Sequence, residues 1–142
     1  MKLERTVETT AAPSAVFAYL ADFTTTTEWD PGTVETMLVS GDGGVGTTYR
    51  NVSSFLGRRT ELTYTVTQHE PDRLIALRGE NKSVVAHDTM AIAPNGGGTR
   101  VTYTAEFDFQ GLARFVAPLL SPALKKLGDE AEKGLRTALG RL

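Results

Sequence analysis

Between residues 33 and 110 the chain falls into short runs in which apolar and polar residues alternate, each ending at a cluster of turn-forming residues. From residue 111 the spacing of apolar residues changes from two to three and four. Alternation turns one face of a strand inward, whereas steps of three and four turn one stripe of a helix inward. A single long helix that follows strands joined by short loops has few ways to bury its stripe. The simplest lays the helix across an antiparallel sheet and leaves a cavity between the two.

The same reading extends to the first third of the chain. Residues 2–10 alternate, with Leu3, Arg5, Val7 and Thr9 on one side and Glu4, Thr6, Glu8 and Thr10 on the other, and their β-branched content favours a strand. Pro13 suits a first helical position, and Val16, Phe17 and Leu20 follow at helical spacing, which predicts a helix over 13–21. Thr24 is placed to cap a second short helix. Asp30-Pro31-Gly32 ends it, because a residue before proline avoids the α region. Further strands are expected at 33–40, 46–55, 59–70, 73–80, 83–93 and 99–109.

The closing helix carries Leu120, Leu124, Leu127, Ala131, Leu135 and Leu139 in one stripe. Lys125, Lys126, Asp129, Glu130, Glu132, Lys133 and Arg136 face the other way. Pro118 and Pro122 predict a kink or a late start, with the regular helix over 123–142. Residues 111–120 are apolar nearly all round, the pattern of a segment buried on several sides or facing something apolar.

A chain of 142 residues is the size of one domain, here 1–142, and can bury ~70% of its unfolded surface without a metal or disulfide. Its formal net charge of −2 gives no general attraction to nucleic acid. The absence of cysteine removes disulfides, thiolate catalysis and sulfur-ligated zinc, and fits a cytoplasmic location. No secretory leader pattern is present, and no stretch approaches the ~18 apolar residues of a membrane span.

Three local features add to the element order: Ala-Pro-Ser-Ala-Val-Phe at 12–17, Trp29-Asp30-Pro31 after the second helix, and Gly98-Thr99-Arg100-Val101-Thr102-Tyr103 entering the last strand. With that order they resemble the polyketide cyclase/dehydrase and lipid-transport family of the START-like, helix-grip (SRPBCC) superfamily. The resemblance covers essentially the whole chain. It implies an α+β helix-grip fold, with a seven-stranded antiparallel sheet curved around a long C-terminal helix and two short helices between strands 1 and 2. It also implies a hydrophobic pocket for a lipid- or polyketide-like molecule, with no cofactor. Some members cyclise polyketides, but the superfamily shares no catalytic motif. A homodimer stays open.

The short motifs carry little chemistry. Gly41-Asp42-Gly43-Gly44-Val45-Gly46 fits a dinucleotide-loop pattern, but a strand follows it where a helix N-terminus is needed. His69 ends a strand and is expected to be exposed. His87 points outward, and two such histidines make no metal site. Asp88 points inward by alternation with Met90 and Ile92, and a buried carboxylate needs a partner. Arg78 and Asn51 are the candidates, the former if Leu74, Ala76 and Arg78 face inward.

The expected ligand walls are Trp29, Tyr49, Asn51, Tyr64, Met90, Tyr103, Phe107, Phe115, Leu120 and Leu124, with Val7 and Ala105. Their chemistry is a mostly apolar pocket with a few polar groups. The rival reading is a cyclase or dehydratase that uses Asp88 with Arg78 or a pocket tyrosine as acid and base.

Overall fold

In the computed structural model, which describes residues 1–142, the alternating runs form one antiparallel sheet of seven strands. β1 (Lys2–Thr9) is followed by α1 (Pro13–Ala21), a 3-10 turn (Phe23–Thr25) and α2 (Thr26–Trp29). Then come β2 (Thr33–Ser40), β3 (Thr48–Phe55), β4 (Arg58–Glu70), β5 (Leu74–Glu80), β6 (Val84–Asn95) and β7 (Gly98–Phe109), and α3 (Ala113–Leu139) closes the chain. The sheet order is β1-β7-β6-β5-β4-β3-β2. β2 to β7 are therefore a meander, and β1 returns to pair with its last strand.

Local chemistry explains the first third. Pro13 opens α1, and Val16, Phe17 and Leu20 supply its buried face. The next turn is capped by Asp22, whose carboxylate accepts the Thr24 amide at 3.1 Å, so Thr24 is the capped residue and not the cap. Asp30 ends α2, accepting the Gly32 amide and the Thr33 hydroxyl, both at 3.0 Å.

α3 begins at Ala113 and runs unbroken through Pro118 and Pro122, so the prolines do not delay its start. Both prolines lie on the exposed side, where water can take the carbonyl groups that proline leaves unbonded. Leu124, Ala131, Leu135 and Leu139 form the buried stripe as expected. Leu112, Phe115, Val116 and Leu119 are exposed, so of the apolar residues in that first stretch Leu120 is the one turned toward the cavity.

The core is asymmetric. α1 and the C-terminal half of α3 pack with Val7, Val66, Ile75, Leu77, Met90 and Val101 in one cluster. The N-terminal half of α3 contributes Leu124, which forms a small second cluster with Leu3 and Ala105, flanked by partly buried residues such as Phe107 and Leu120. α3 meets α2 at Gly134, where any Cβ would collide with the Trp29 carbonyl oxygen. Glycine at 134 thus lets the α2 backbone approach α3 and holds Trp29 beneath it. No helix is long and apolar enough to cross a membrane.

Candidate functional site

Where α3 leaves the tight core, a cavity of about 530 Å³ opens between it and the sheet. That volume lies within the usual range for small-molecule sites. Leu120, Leu124, Leu127 and Ala131 of α3 form its roof. Leu3, Leu62, Val84, Ala105, Phe107 and Phe109 form most of its floor, and Phe23, Thr26, Trp29 and Asp30 close one side.

The β6–β7 register gives the cavity a direction. Val84 pairs with Phe109, Asp88 with Ala105, and Met90 with Tyr103. The Val84–Phe109 end lies near the tips of the β3–β4 and β5–β6 hairpins, where the lining residues Arg59, Glu61 and Ser83 are exposed and form the mouth. The Met90–Tyr103 end runs into the packed core and is closed.

Polar chemistry concentrates toward the closed end. Asp88 is only 6% exposed and lines the cavity. Burial pushes its carboxyl up to about 7, the Asp30 carboxylate adds to the rise, and the nearby Tyr103 hydroxyl holds it back. Asp30 is itself raised by burial, against the stabilising bonds from Thr33 and Gly32. The hydroxyls of Tyr64 and Tyr103 are held well above their ordinary value, first by burial and then by the negative charge of Asp88 and Asp30. Trp29 meets Tyr103 edge-on at 5.5 Å, and its buried indole N–H has no partner.

The cations stand elsewhere. Arg78 is opposite His87 in the register, on the outer face, and pairs with Glu80 at 3.4 Å. The expected Asp88–Arg78 pair therefore does not form: Leu77, not Arg78, sits across from Asp88. Arg5 reaches the cavity wall from β1, but its guanidinium is held by Asp129 and by the Glu4 and Lys125 carbonyls. Asn51 also makes no bond to Asp88. Its amide donates to Thr36 at 2.9 Å and accepts from Ser53 at 2.8 Å, tying β2 to β3 at the cavity wall.

Of the residues expected from the sequence, Trp29, Asn51, Tyr64, Tyr103, Phe107, Leu120, Leu124, Ala105 and Asp88 line the cavity. Tyr49, Met90, Phe115 and Val7 do not. Phe23 lies against the rings of both Tyr49 and Tyr64, at 5.6 and 4.8 Å, and screens Tyr49 from the cavity. Met90 and Val7 are sealed in the main core. Phe115 is 67% exposed, with the Arg114 guanidinium 5.0 Å from its ring centre. His87 is exposed as expected, but His69 is partly buried, edge-on to Phe17 at 5.0 Å. The glycine-rich segment 41–46 joins β2 to β3.

Sequence reasoning misses Asp30 as a site residue, together with Phe55, Leu62, Val84 and Phe109. From the sequence Asp30 reads only as a helix stop. The available signal is its place in Trp29-Asp30-Pro31, beside a residue expected at the pocket edge. The phenylalanines follow from the strict alternation of β7 and from the position of Phe55 at the end of β3.

A family model described as polyketide cyclase/dehydrase and lipid transport matches residues 1–140. No curated protein matches the sequence. Among solved structures, the fold is similar to that of the Zhui aromatase/cyclase from Streptomyces sp. R1128, with a TM-score of 0.83 and 15% identity over 98% of this chain and 93% of that one. TTHA0849 from Thermus thermophilus gives 0.79 and 17% over 98% and 95%. A START superfamily protein from Mycobacterium smegmatis gives 0.73 and 14% over 96% and 98%. At these identities the likeness is one of fold.

Proposed function

Because the chain belongs to the polyketide cyclase/dehydrase and lipid-transport family, we propose that it works by holding one apolar or aromatic small molecule between the sheet and α3. Family and fold support small-molecule binding or a cyclase-type role, without choosing between them. The observation that carries the binding reading is the cavity itself, about 530 Å³, apolar along its walls and polar toward its closed end. Affinity comes from apolar burial, at ~25 cal/mol per Å² removed from water. Orientation comes from Asp88, Tyr64 and Tyr103. A cytoplasmic location belongs to the same proposal and rests on the cysteine-free chain.

Native mass spectrometry of the purified protein tests this. The expected spectrum shows one small molecule per chain, lost on denaturation, or a single added apolar compound retained. A chain that stays at its bare mass with every apolar compound offered contradicts the reading.

One observation favours a second reading. A carboxyl that titrates near neutrality beside a tyrosine hydroxyl can move a proton to and from a bound ketone. On that reading the protein is a cyclase or dehydratase in which Asp88 acts with Tyr103, and Arg78, on the outer face, takes no part. An Asp88→Asn variant with undiminished turnover of a poly-β-ketone would exclude it.

A further inference from the structure

The closed end of the cavity holds more acid than the fold requires. Asp30 has a structural explanation: its two oxygens are bonded to the Gly32 amide and the Thr33 hydroxyl. Asp88 has none. It is 6% exposed, lines the cavity, and has the Tyr103 hydroxyl as its one partner from the protein, with no cation or backbone amide against it. The Tyr64 hydroxyl, on a residue equally buried, lines the same cavity with no hydrogen bond to the protein. Incompletely partnered polar groups in an apolar site are destabilising, so they signal a ligand that completes them.

The surroundings of Asp88 define the charge of that ligand. β4 contributes Tyr64, β7 contributes Tyr103, and the segment after α2 contributes Asp30. β5 places Leu77 opposite it. α3 offers only apolar side chains and Gly128 to the cavity. Arg5 of β1 is turned to Asp129 and Glu132, and Arg59 stands exposed at the mouth. No cation faces Asp88. Two carboxyl groups and the rings of Trp29, Tyr64 and Tyr103 thus share one low-dielectric end, and the faces of such rings also attract positive charge.

We propose that the closed end recognises a protonated amine, so that the ligand is an apolar or aromatic molecule whose ammonium sits against Asp88 among the rings of Tyr64, Tyr103 and Trp29. This rests on the binding reading and names the class of molecule bound. An ammonium supplies the charged donor that Asp88 lacks beside the Tyr103 hydroxyl, and the Asp30 charge adds to the attraction. A ligand that enters carboxylate first meets both acids. A neutral ligand leaves their mutual repulsion in place. Because Asp88 is held near neutrality, entry of an ammonium drives off its proton, and amine affinity rises as pH rises through that range.

Calorimetric titration with three probes of one shape tests this: naphthylmethylamine, naphthylmethanol and naphthoate. The amine is expected to bind about tenfold or more tighter than the alcohol, with naphthoate weakest. Its affinity should rise about tenfold between about pH 6 and about pH 8, while the alcohol shows no such rise. Asp88→Asn should remove both the preference and the pH slope and retain the alcohol. Binding of the alcohol also reports that the variant is folded, and Asp88→Leu serves if the asparagine variant is not. If the alcohol or naphthoate binds as tightly as the amine, or the preference survives removal of Asp88, the amine assignment is wrong and the binding reading stands. If none of the three binds, both fall.

Discussion

The ring of Tyr64 occupies the space beside Gly79 on the neighbouring strand: a Cβ built on Gly79 would lie 2.6 Å from two of its ring atoms. The two residues face each other directly across β4 and β5. Glycine at 79 is therefore what lets Tyr64 lie along the sheet and present its hydroxyl to the cavity. Gly79→Ala is expected to lower stability by about 1–3 kcal/mol through overpacking, and to weaken binding of an apolar probe severalfold. Denaturant melts and probe titration check the two effects, and a variant with neither would show that the ring moves aside freely.

Asp88 gives stability a characteristic pH dependence. Its carboxyl titrates at about 7 in the folded chain, above its value of about 3.9 when unfolded. Between those values the native state holds a proton that the unfolded state has released, so stability falls as pH rises and the loss is complete above the folded value. The ceiling on that loss is about 4 kcal/mol. Asp88→Asn should therefore be more stable than the parent at about pH 8, by up to that amount, and the gap should close toward about pH 4. Thermal melts across that range decide it. A variant that is less stable at high pH would contradict the assignment.

Pro122 lies inside α3 on its exposed side. An interior proline removes one helical hydrogen bond, against a smaller benefit from stiffening the unfolded chain. Pro122→Ala is expected to stabilise the protein by about 1–2 kcal/mol, seen as a higher Tm. A lower Tm would mean that the proline sets the path of the helix over the cavity.

Two leucines on the same face of α3 should respond differently to truncation. Leu135 is fully buried in the main cluster, whereas Leu124 belongs to the small cluster with Leu3 and Ala105 and lines the cavity. Leu135→Ala is expected to lose about 4 kcal/mol and Leu124→Ala about 2 kcal/mol, because part of its surface already faces open space. Equal losses in equilibrium unfolding would mean that the cavity is collapsed in solution.

Much of this is legible because alternation is a strong signal wherever one face is polar. Leu62, Tyr64 and Val66 against Thr63, Thr65 and Thr67 fix the phase of β4, and Asp88 with Met90 and Ile92 fixes β6. β5 opens with four successive apolar residues, Leu74 to Leu77, and carries no phase of its own. Its neighbours set the phase, and that is how Arg78 comes to face outward. Alternation puts Tyr49 on the right face, but what covers a face is a tertiary matter, and Phe23 arrives there from a distant turn. Phe115 and Leu119 show the converse limit. Their helical spacing is clear, yet both lie on the side of α3 that is left in solvent.

The central claim is that apolar molecules enter the cavity and do not merely adhere to the exposed stripe on α3. Titration with Nile red, an uncharged fluorescent probe, separates the two with one substitution in each place. Phe107 lines the cavity and Leu119 is 79% exposed on the stripe. The account predicts saturable binding to the parent chain, loss of binding in a folded Phe107→Asp variant, and retention in Leu119→Asp. Binding that survives Phe107→Asp and disappears in Leu119→Asp would contradict it.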